Sequence, residues 1–157
     1  MLEQLPKMVA AETADWFSFL GVRMTVTVRA ADTDGKYGLI ECVLPAGFAP
    51  PPHIHHSEDE QFYLVEGRLT FRCAGQTIAA GPGDIVLLPR GVPHTFVVEE
   101  PGPARVLQIT TPGGVEEFFA GFGTPLSVLA AAPDGPPDFK RLAELATQYQ
   151  IEFVESA

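Results

Sequence analysis

The amino-acid sequence predicts a small all-β protein, a barrel or sandwich of short strands with a short α-helix near its C-terminus. Two observations support this fold class. Glycine and proline each occur 15 times among the 157 residues, and so many turn-forming residues favour short strands over long helices. Between the turns, alternating or β-branched apolar segments recur about every 8 to 12 residues, the spacing typical of sandwiches and barrels.

The first predicted strand begins at Val22. Residues 8–19, which precede it, form either a short helical turn or an extended arm whose aromatic side chains cover an open end of the core or a partner subunit. From Val22 to Val28 apolar and polar residues alternate, which indicates a half-buried strand. A turn over residues 32–35 leads to a second strand over residues 37–44, which ends at a proline and a glycine.

Six further strands are predicted in the middle of the chain. Turns that contain glycine or proline separate most of them. They cover residues 60–65, 68–73, 76–79, 85–88, 94–99 and 105–111. Together with the two preceding strands they make about eight, enough to close a small barrel.

The pattern becomes helical near the C-terminus. We expect a helical segment over residues 115–157, with a short helix over residues 115–120 and a Gly/Pro/Ala-rich link over residues 123–137. Asp138 follows two prolines and is a typical N-cap for a helix over residues 139–149. That helix carries its apolar residues on one face, which packs on the barrel or on a second subunit: Leu142, Leu145, Ala146 and Tyr149. We expect the C-terminal helix to end in Ile151, Glu152 and Phe153.

Composition and charge restrict the possible functions. The length fits one domain, expected over residues 1–157. The formal net charge of −10 repels phosphate backbones, so we expect no nucleic-acid partner. No apolar run approaches the roughly 20 residues needed to span a bilayer, and no signal-peptide pattern is present, so a cytoplasmic protein without a membrane partner is expected. The two cysteines, Cys42 and Cys73, are expected to be reduced and buried in strands.

The four histidines fall into two short segments flanked by proline and glycine, His53 to His56 and His94. Residues two apart in a strand point the same way, so His53 and His55 can both face the interior while His56 faces outward. His94 and a carboxylate at the start of the strand after the first segment can reach the same point. Three imidazoles and one carboxylate suit a divalent transition metal with one or two open positions. The alternative is a polar surface loop, but the clustering of all four histidines favours a metal.

The flanking residues resemble the two signatures of the cupin superfamily. Gly47, five residues, His53-Ile54-His55, four residues, Glu60, six residues and Gly67 are similar to the first signature. Gly83, five residues, Pro89-Arg90-Gly91, two residues and His94 are similar to the second. The second signature usually closes with asparagine, where Val98 stands here. The resemblance covers residues 38–110 and implies a double-stranded β-helix, the jelly-roll barrel of cupins.

The resemblance also assigns roles to individual residues. The metal ligands that it implies are His53, His55, Glu60 and His94. Asp59 could replace Glu60 only if the following turn were one residue shorter, and the six residues before Gly67 favour Glu60. The metal ion would be Fe, Mn, Ni, Co, Cu or Zn. The implied turn glycines, which need positive φ, are Gly47, Gly67, Gly83 and Gly91. His56 and Glu58 lie outside the pattern, and His56 is expected to be exposed or to donate a hydrogen bond behind a ligand.

Residues 50–67 and the C-terminal segment resemble small bacterial cupins of the quercetin 2,3-dioxygenase-like type. This resemblance implies a metal-dependent dioxygenase for a small, flat, hydroxylated or enolisable substrate, with Glu60 also accepting a substrate proton. The alternatives are a non-catalytic ligand-binding or sensor protein and, less favoured, an isomerase or epimerase, since no second acid or base faces the metal. Small cupins are usually dimers, so a homodimer is expected.

Strand parity also predicts which side chains surround the metal. Four apolar residues have the parity to line a substrate pocket beside it: Phe62, Phe71, Phe96 and Val98. An apolar lining suits a flat hydrophobic ligand. Equally, these side chains could simply fill the interior of a narrow barrel.

Overall fold

Two antiparallel β-sheets, one of seven strands and one of five, face each other across the core. The computed structural model describes residues 5–129 and 136–157. Residues 1–4, which precede the predicted arm, and residues 130–135, part of the predicted link, lie outside the described residues. The predicted all-β fold is therefore confirmed for the part of the chain that the structure describes.

The described residues contain twelve strands and three α-helices. The strands are β1 (Trp16–Phe19), β2 (Val22–Val28), β3 (Gly38–Leu44), β4 (His53–His55), β5 (Asp59–Glu66), β6 (Leu69–Cys73), β7 (Gln76–Ala80), β8 (Ile85–Leu88), β9 (His94–Val98), β10 (Ala104–Thr111), β11 (Thr124–Pro125) and β12 (Ile151–Phe153). The helices are α1 (Glu116–Phe122), α2 (Leu126–Leu129) and α3 (Phe139–Gln148), and short 3₁₀ turns occupy Ala11–Thr13 and Ala30–Asp32.

The strand order gives the jelly-roll topology. The larger sheet runs β11-β1-β2-β3-β10-β5-β8, and the smaller one runs β12-β4-β9-β6-β7. Strands distant in sequence are neighbours, and the chain crosses repeatedly between the sheets, as in a double-stranded β-helix. Crossing places β4 and β5, which are separated by only three residues, in opposite sheets. Side chains from both strands can therefore meet in the space between the sheets.

Alternation along the strands builds the core. In β3 every second residue is buried, from Gly38 to Leu44. Ile40, Leu64 and Phe71 are fully buried between the sheets. The four turn glycines implied by the cupin resemblance all have positive φ, between 74° and 89°. At Gly67 a Cβ atom would also lie 2.6 Å from the Ala104 Cα atom, so this turn needs glycine on two grounds.

The C-terminal segment differs from the prediction at its end. The helix over residues 139–149 is confirmed as α3, with Asp138 as its N-cap: the carboxylate accepts a hydrogen bond from the Arg141 amide at 3.0 Å. Residues 151–153, however, are a strand and not the end of a helix. Gln150 adopts a φ of 56°, which ends the helical path and turns the chain alongside β4, where Ile151 pairs with His55.

The N-terminal segment also forms more strand than predicted. Residues 16–19 are β1, in which Phe17 and Phe19 are buried, so the predicted arm becomes part of the larger sheet. The longest helix of the described residues, α3, has 10 residues. Within residues 5–129 and 136–157, no helix combines the length and the apolar character that crossing a membrane requires.

Candidate metal centre

The smaller sheet brings three histidines together at one end of the barrel. Strand β4 carries His53 and His55, and His94 is the first residue of β9. The pairing of β4 with β9 places His53 directly opposite His94, and their ring centroids are 4.5 Å apart. The rings of His55 and His94 are nearly parallel, with centroids 5.7 Å apart.

The larger sheet supplies the carboxylate that faces these histidines. Glu60, in β5, is buried and directs its Oε2 atom to 2.8 Å from His94 Nε2 and 3.3 Å from His55 Nε2. One nitrogen or oxygen atom of each of the four residues lies within 4.8 Å of the others. The structure thus brings together the four residues implied by the resemblance.

Asp59, the rival of Glu60, lies on the other side of the strand. Its carboxylate accepts hydrogen bonds from the Arg90 backbone amide at 2.9 Å and from the Arg90 guanidinium at 3.1 and 3.2 Å. These hydrogen bonds lower the pKa of Asp59. Neighbouring residues of a strand point to opposite faces. Asp59 therefore binds Arg90, in the turn of the second signature, while the Glu60 side chain points towards His55 and His94.

Hydrogen bonds at Nδ1 orient all three imidazoles. His53 Nδ1 donates to the Pro51 carbonyl at 2.8 Å, His94 Nδ1 donates to the Val92 carbonyl at 3.0 Å, and His55 Nδ1 donates to the Glu58 carboxylate at 2.6 Å. With the proton on Nδ1, a neutral imidazole carries its lone pair on Nε2. His55 and His94 direct these lone pairs at the Glu60 carboxylate, as histidine ligands do in metal sites.

This arrangement fits a bound cation. His94 Nε2 and Glu60 Oε2 are 2.8 Å apart, yet neither has a hydrogen-bond partner among the described residues. With His94 neutral and its proton on Nδ1, the Nε2 lone pair faces the carboxylate, and a cation between the two atoms removes their repulsion. A donor set of three nitrogens and one oxygen suits a divalent transition metal. The residues present therefore fit the metal that the resemblance implies.

The charges of the cluster are strongly coupled. Burial alone raises the pKa of Glu60, but the three histidines outweigh it and lower this pKa to about 2, so the carboxylate is ionised at neutral pH. Burial lowers the pKa of His53 to about 4. Burial also acts to lower the pKa of His55, but the carboxylates of Glu60 and Glu58 reverse the effect and raise it. Glu60 is thus available as an anionic ligand and His53 as a neutral one.

Two buried polar residues that sequence reasoning missed support the cluster. Glu58 is only 5% exposed and holds His55. Gln108, in β10, is 4% exposed, and its side-chain amide donates to Glu60 Oε1 at 2.5 Å. Strand parity could have indicated Gln108, because it shares the inward face of β10 with Val106. Nothing in the spacing indicated Glu58, which lies in the turn between the sheets.

Two small apolar cavities flank the cluster, each of about 60 Å³. The inner cavity lies inside the barrel and reaches Glu60 and Gln108. The outer cavity lies beneath α1, α3 and β12 and reaches His53 and His55. Both are lined by the same five residues at their boundary: Phe19, Phe48, Pro50, His53 and Phe119.

The predicted pocket residues divide into two groups. Phe62 and Phe96 line the inner cavity. Phe71 and Val98 line neither cavity; they are at most 1% exposed, and Phe71 packs behind Phe62 and Phe96, with ring centroids 5.5 and 5.6 Å away. The alternation along the strands correctly places all four side chains inside the barrel. Alternation does not show which of them border a cavity and which pack deeper in the core. His56, outside the cluster, is exposed and bonds Glu152 at 2.8 Å.

Comparisons with known proteins agree with this geometry. Residues 39–110 match the family described as Cupin domain. The chain is 30% identical to quercetin 2,3-dioxygenase from Bacillus subtilis (strain 168) over 100 residues, which are 64% of this chain. It is 33% identical to quercetin 2,3-dioxygenase from Aspergillus japonicus over 78 residues, which are 46% of this chain. The matched parts are 29% and 22% of those two proteins, so the chain spans less than a third of either relative.

A solved structure shows the same fold. KdgF from a Halomonas species superposes with a TM-score of 0.63 at 19% identity, and the alignment covers 71% of this chain and 98% of that chain. At this level of identity the likeness concerns the fold alone. It supports the double-stranded β-helix and leaves the chemistry to the residues of the site.

Proposed function

We propose, on the premise that this chain carries a cupin domain over residues 39–110, that it is a metal-dependent dioxygenase for a small, flat, hydroxylated or enolisable organic substrate. One observation supports this most strongly: three imidazoles and one carboxylate, with one nitrogen or oxygen atom of each within 4.8 Å of the others, adjoin an apolar cavity. The likeness to two quercetin 2,3-dioxygenases favours this reaction over other cupin activities.

The proposed ligands are His53, His55, Glu60 and His94, which hold an ion of Fe, Mn, Ni, Co, Cu or Zn. When bound, such an ion supplies a Lewis acid for a substrate oxygen. The four ligands come from strands of both sheets, which keep their relative positions through backbone hydrogen bonds. This rigidity suits a site that must hold one geometry during catalysis.

Glu60 is proposed as the catalytic residue as well as a ligand. Its Oε2 atom faces the centre of the cluster, within reach of the proton that a hydroxyl or an enolisable carbon loses. Gln108 binds the other oxygen, Oε1, and so fixes the direction in which Oε2 points. Phe62 and Phe96 line the inner cavity and exclude water from the activated substrate.

The proposed reaction needs no external reductant. Dioxygen is the oxidant and the substrate supplies the electrons: the O–O bond and a carbon–carbon bond of the substrate break, and each oxygen atom ends in a carbonyl or carboxyl group of the products. The proton taken up by Glu60 returns to the product. The proposed reaction therefore needs only a metal, a substrate and dioxygen.

Oxygen uptake tests the proposed function. Metal-depleted protein is reloaded with each of the six metals in turn and mixed with a panel of flavonols and 1,3-diketones in an oxygen-electrode cell. We expect uptake that depends on metal and substrate together and that falls by at least about 100-fold in Glu60→Gln. Absence of uptake with every metal and substrate contradicts the dioxygenase proposal for this panel.

A non-catalytic role is the main competing proposal. A sensor or storage protein with the same site binds the metal and a small ligand without consuming dioxygen, so the uptake experiment separates the two. An isomerase or epimerase is less well supported, because Glu60 and the histidines are the only strong acid or base groups among the residues that line the two described cavities. Tyr63, Arg68 and Arg72 are exposed on the outside of the sheets.

The assembly and location of the protein remain proposals. We propose a homodimer in the cytoplasm that acts on a small molecule and has no nucleic-acid or membrane partner. The formal charge of −10 supports the exclusion of nucleic acid. Sedimentation analysis of the full chain tests the dimer.

A further inference from the structure

The boundary between the two cavities separates the outer cavity from the Glu60 carboxylate. Glu60 and Gln108 line only the inner cavity, whereas Leu142 and Ile151, from the C-terminal segment, line only the outer one. His53 lies between them and lines both. A substrate that enters beneath the C-terminal segment therefore passes the five boundary residues before it reaches the Glu60 carboxylate.

The volumes favour a small substrate. Each cavity measures about 60 Å³. Pockets for drug-sized ligands measure roughly 300 to 1,000 Å³. A three-ring flavonol exceeds the space on either side of the boundary.

We propose that the site accepts a compact enolisable molecule of the 1,3-dicarbonyl class, not a flavonol, and that Phe119 sets this size limit. The inference rests on the proposed function, whose substrate class it narrows. The polar groups of the inner cavity, Glu60 and Gln108, receive the oxygen-bearing end of the molecule. The outer cavity, apolar except for His53 and His55, takes a short hydrocarbon end.

Phe119 has the position that a size-determining residue requires. It lies in α1 and is 8% exposed, and its ring meets that of Phe19 edge to face, with centroids 5.1 Å apart and an interplanar angle of 83°. Phe19 in turn contacts Phe118 and Phe122, at 5.6 Å each. This aromatic cluster holds Phe119 between the two cavities, so removal of its ring is expected to widen the passage between them.

Phe122 provides a matched control. It belongs to the same helix and contacts the same partner, Phe19, but it lines neither cavity. A Phe122→Ala variant therefore loses comparable aromatic packing without widening the passage. If Phe119→Ala changes the preference for larger ligands and Phe122→Ala does not, loosened packing alone cannot be the cause.

Binding without dioxygen tests the inference separately from catalysis. Metal-loaded wild-type, Phe119→Ala and Phe122→Ala proteins are titrated by calorimetry under argon with 2,4-pentanedione, 1-phenyl-1,3-butanedione and 3-hydroxyflavone. We expect wild type and Phe122→Ala to bind the smallest diketone and to bind 3-hydroxyflavone at least about tenfold more weakly. Phe119→Ala should reduce this difference by at least about tenfold.

Each outcome decides the inference. Equal binding of 3-hydroxyflavone and 2,4-pentanedione to wild type, or the same ligand preference in all three proteins, overturns it. Absence of binding by every diketone overturns it as well. Thermal unfolding of the three proteins shows that each is folded before titration. Size-dependent binding without oxygen uptake supports the size limit while contradicting the dioxygenase, so the two proposals fail independently.

Discussion

Glu58 accepts a hydrogen bond from His55, with 2.6 Å between Oε1 and Nδ1, and both side chains are buried. The carboxylate fixes the tautomer of the imidazole and increases the electron density at Nε2, the atom that faces Glu60. Glu58 is thus a positioning residue for the proposed metal, and it acts through His55. A buried carboxylate with this single role is costly to keep unless the site uses it.

Replacement of Glu58 should weaken metal binding. Glu58→Gln keeps the shape of the side chain but removes its charge, and we expect the metal Kd to rise by about 10- to 100-fold. Competition with a chromophoric chelator measures this Kd. Glu66→Gln, which alters an exposed carboxylate at the other end of β5, is the control. Equal affinities in both variants contradict a positioning role for Glu58.

The second signature should be essential for metal retention. In His94→Ala the cluster loses a ligand from β9, so we expect purified protein to contain less than about a tenth of the wild-type metal. His56→Ala is the matched control, because His56 is exposed and bonds Glu152 outside the cluster. Elemental analysis of protein purified without chelator gives the comparison. Full metal content in His94→Ala counts against the proposed ligand set.

The two neighbouring carboxylates should behave differently. Glu60→Gln removes the anionic ligand, and we expect metal loss and loss of any oxygen uptake. Asp59→Asn keeps the cluster and weakens only the exposed contact with Arg90, so its metal content should equal that of wild type and its stability should fall by less than about 1 kcal/mol. Metal analysis and urea unfolding of the two variants test this difference. The reverse pattern makes Asp59 the ligand.

Acid should destabilise the metal-free protein through His53. Burial lowers the pKa of His53 from 6.5 to about 4, so between these values the unfolded chain binds a proton that the folded chain does not. As pH falls from 6.5 to 4, the free energy of unfolding of the metal-free protein should therefore decrease by about 1 to 3 kcal/mol. Above pH 6.5 His53 adds no pH dependence. The measurement is the difference in unfolding free energy between wild type and His53→Gln. Parallel pH profiles disagree with the expectation.

A buried carboxylate away from the metal makes Gly38 intolerant of a side chain. Glu116 is fully buried and accepts hydrogen bonds from the Ala30 amide at 2.6 Å and the Gly114 amide at 2.7 Å. A Cβ atom on Gly38 would lie 2.8 Å from Glu116 Cδ. The added methyl group would displace the Glu116 carboxylate and leave buried polar groups without hydrogen-bond partners. We therefore expect Gly38→Ala to lower the free energy of unfolding in urea by about 2 to 4 kcal/mol.

Gly121 supplies the comparison for Gly38. It lies in α1, and the nearest atom to an added Cβ is 3.8 Å away, an ordinary contact. Since alanine is the better helix former, Gly121→Ala should be neutral or more stable by up to about 1 kcal/mol. Equal destabilisation by both substitutions shows that Glu116 is not the cause at Gly38.

Much of the fold could be predicted because the signals are local. Period-two alternation identifies strands such as β2 and β3, and the positive φ of the turn glycines follows from their place in the signatures. The same alternation puts His53 and His55 on one face. The strands that were missed, β1, β11 and β12, are two to four residues long, too short for a periodic pattern. They form because tertiary partners pair with them.

The sequence by itself determined the fold class, the convergence of three histidines with a nearby carboxylate, and the inward face of the strands that it predicts, because backbone geometry makes parity a local property. Tertiary structure placed Glu60 and not Asp59 in the cluster, with Asp59 held by Arg90, and recruited Glu58 and Gln108 behind it. It also decided which inward aromatic residues line a cavity. These results depend on distances between segments far apart in the chain, and such distances are settled only when both sheets and the C-terminal segment pack together.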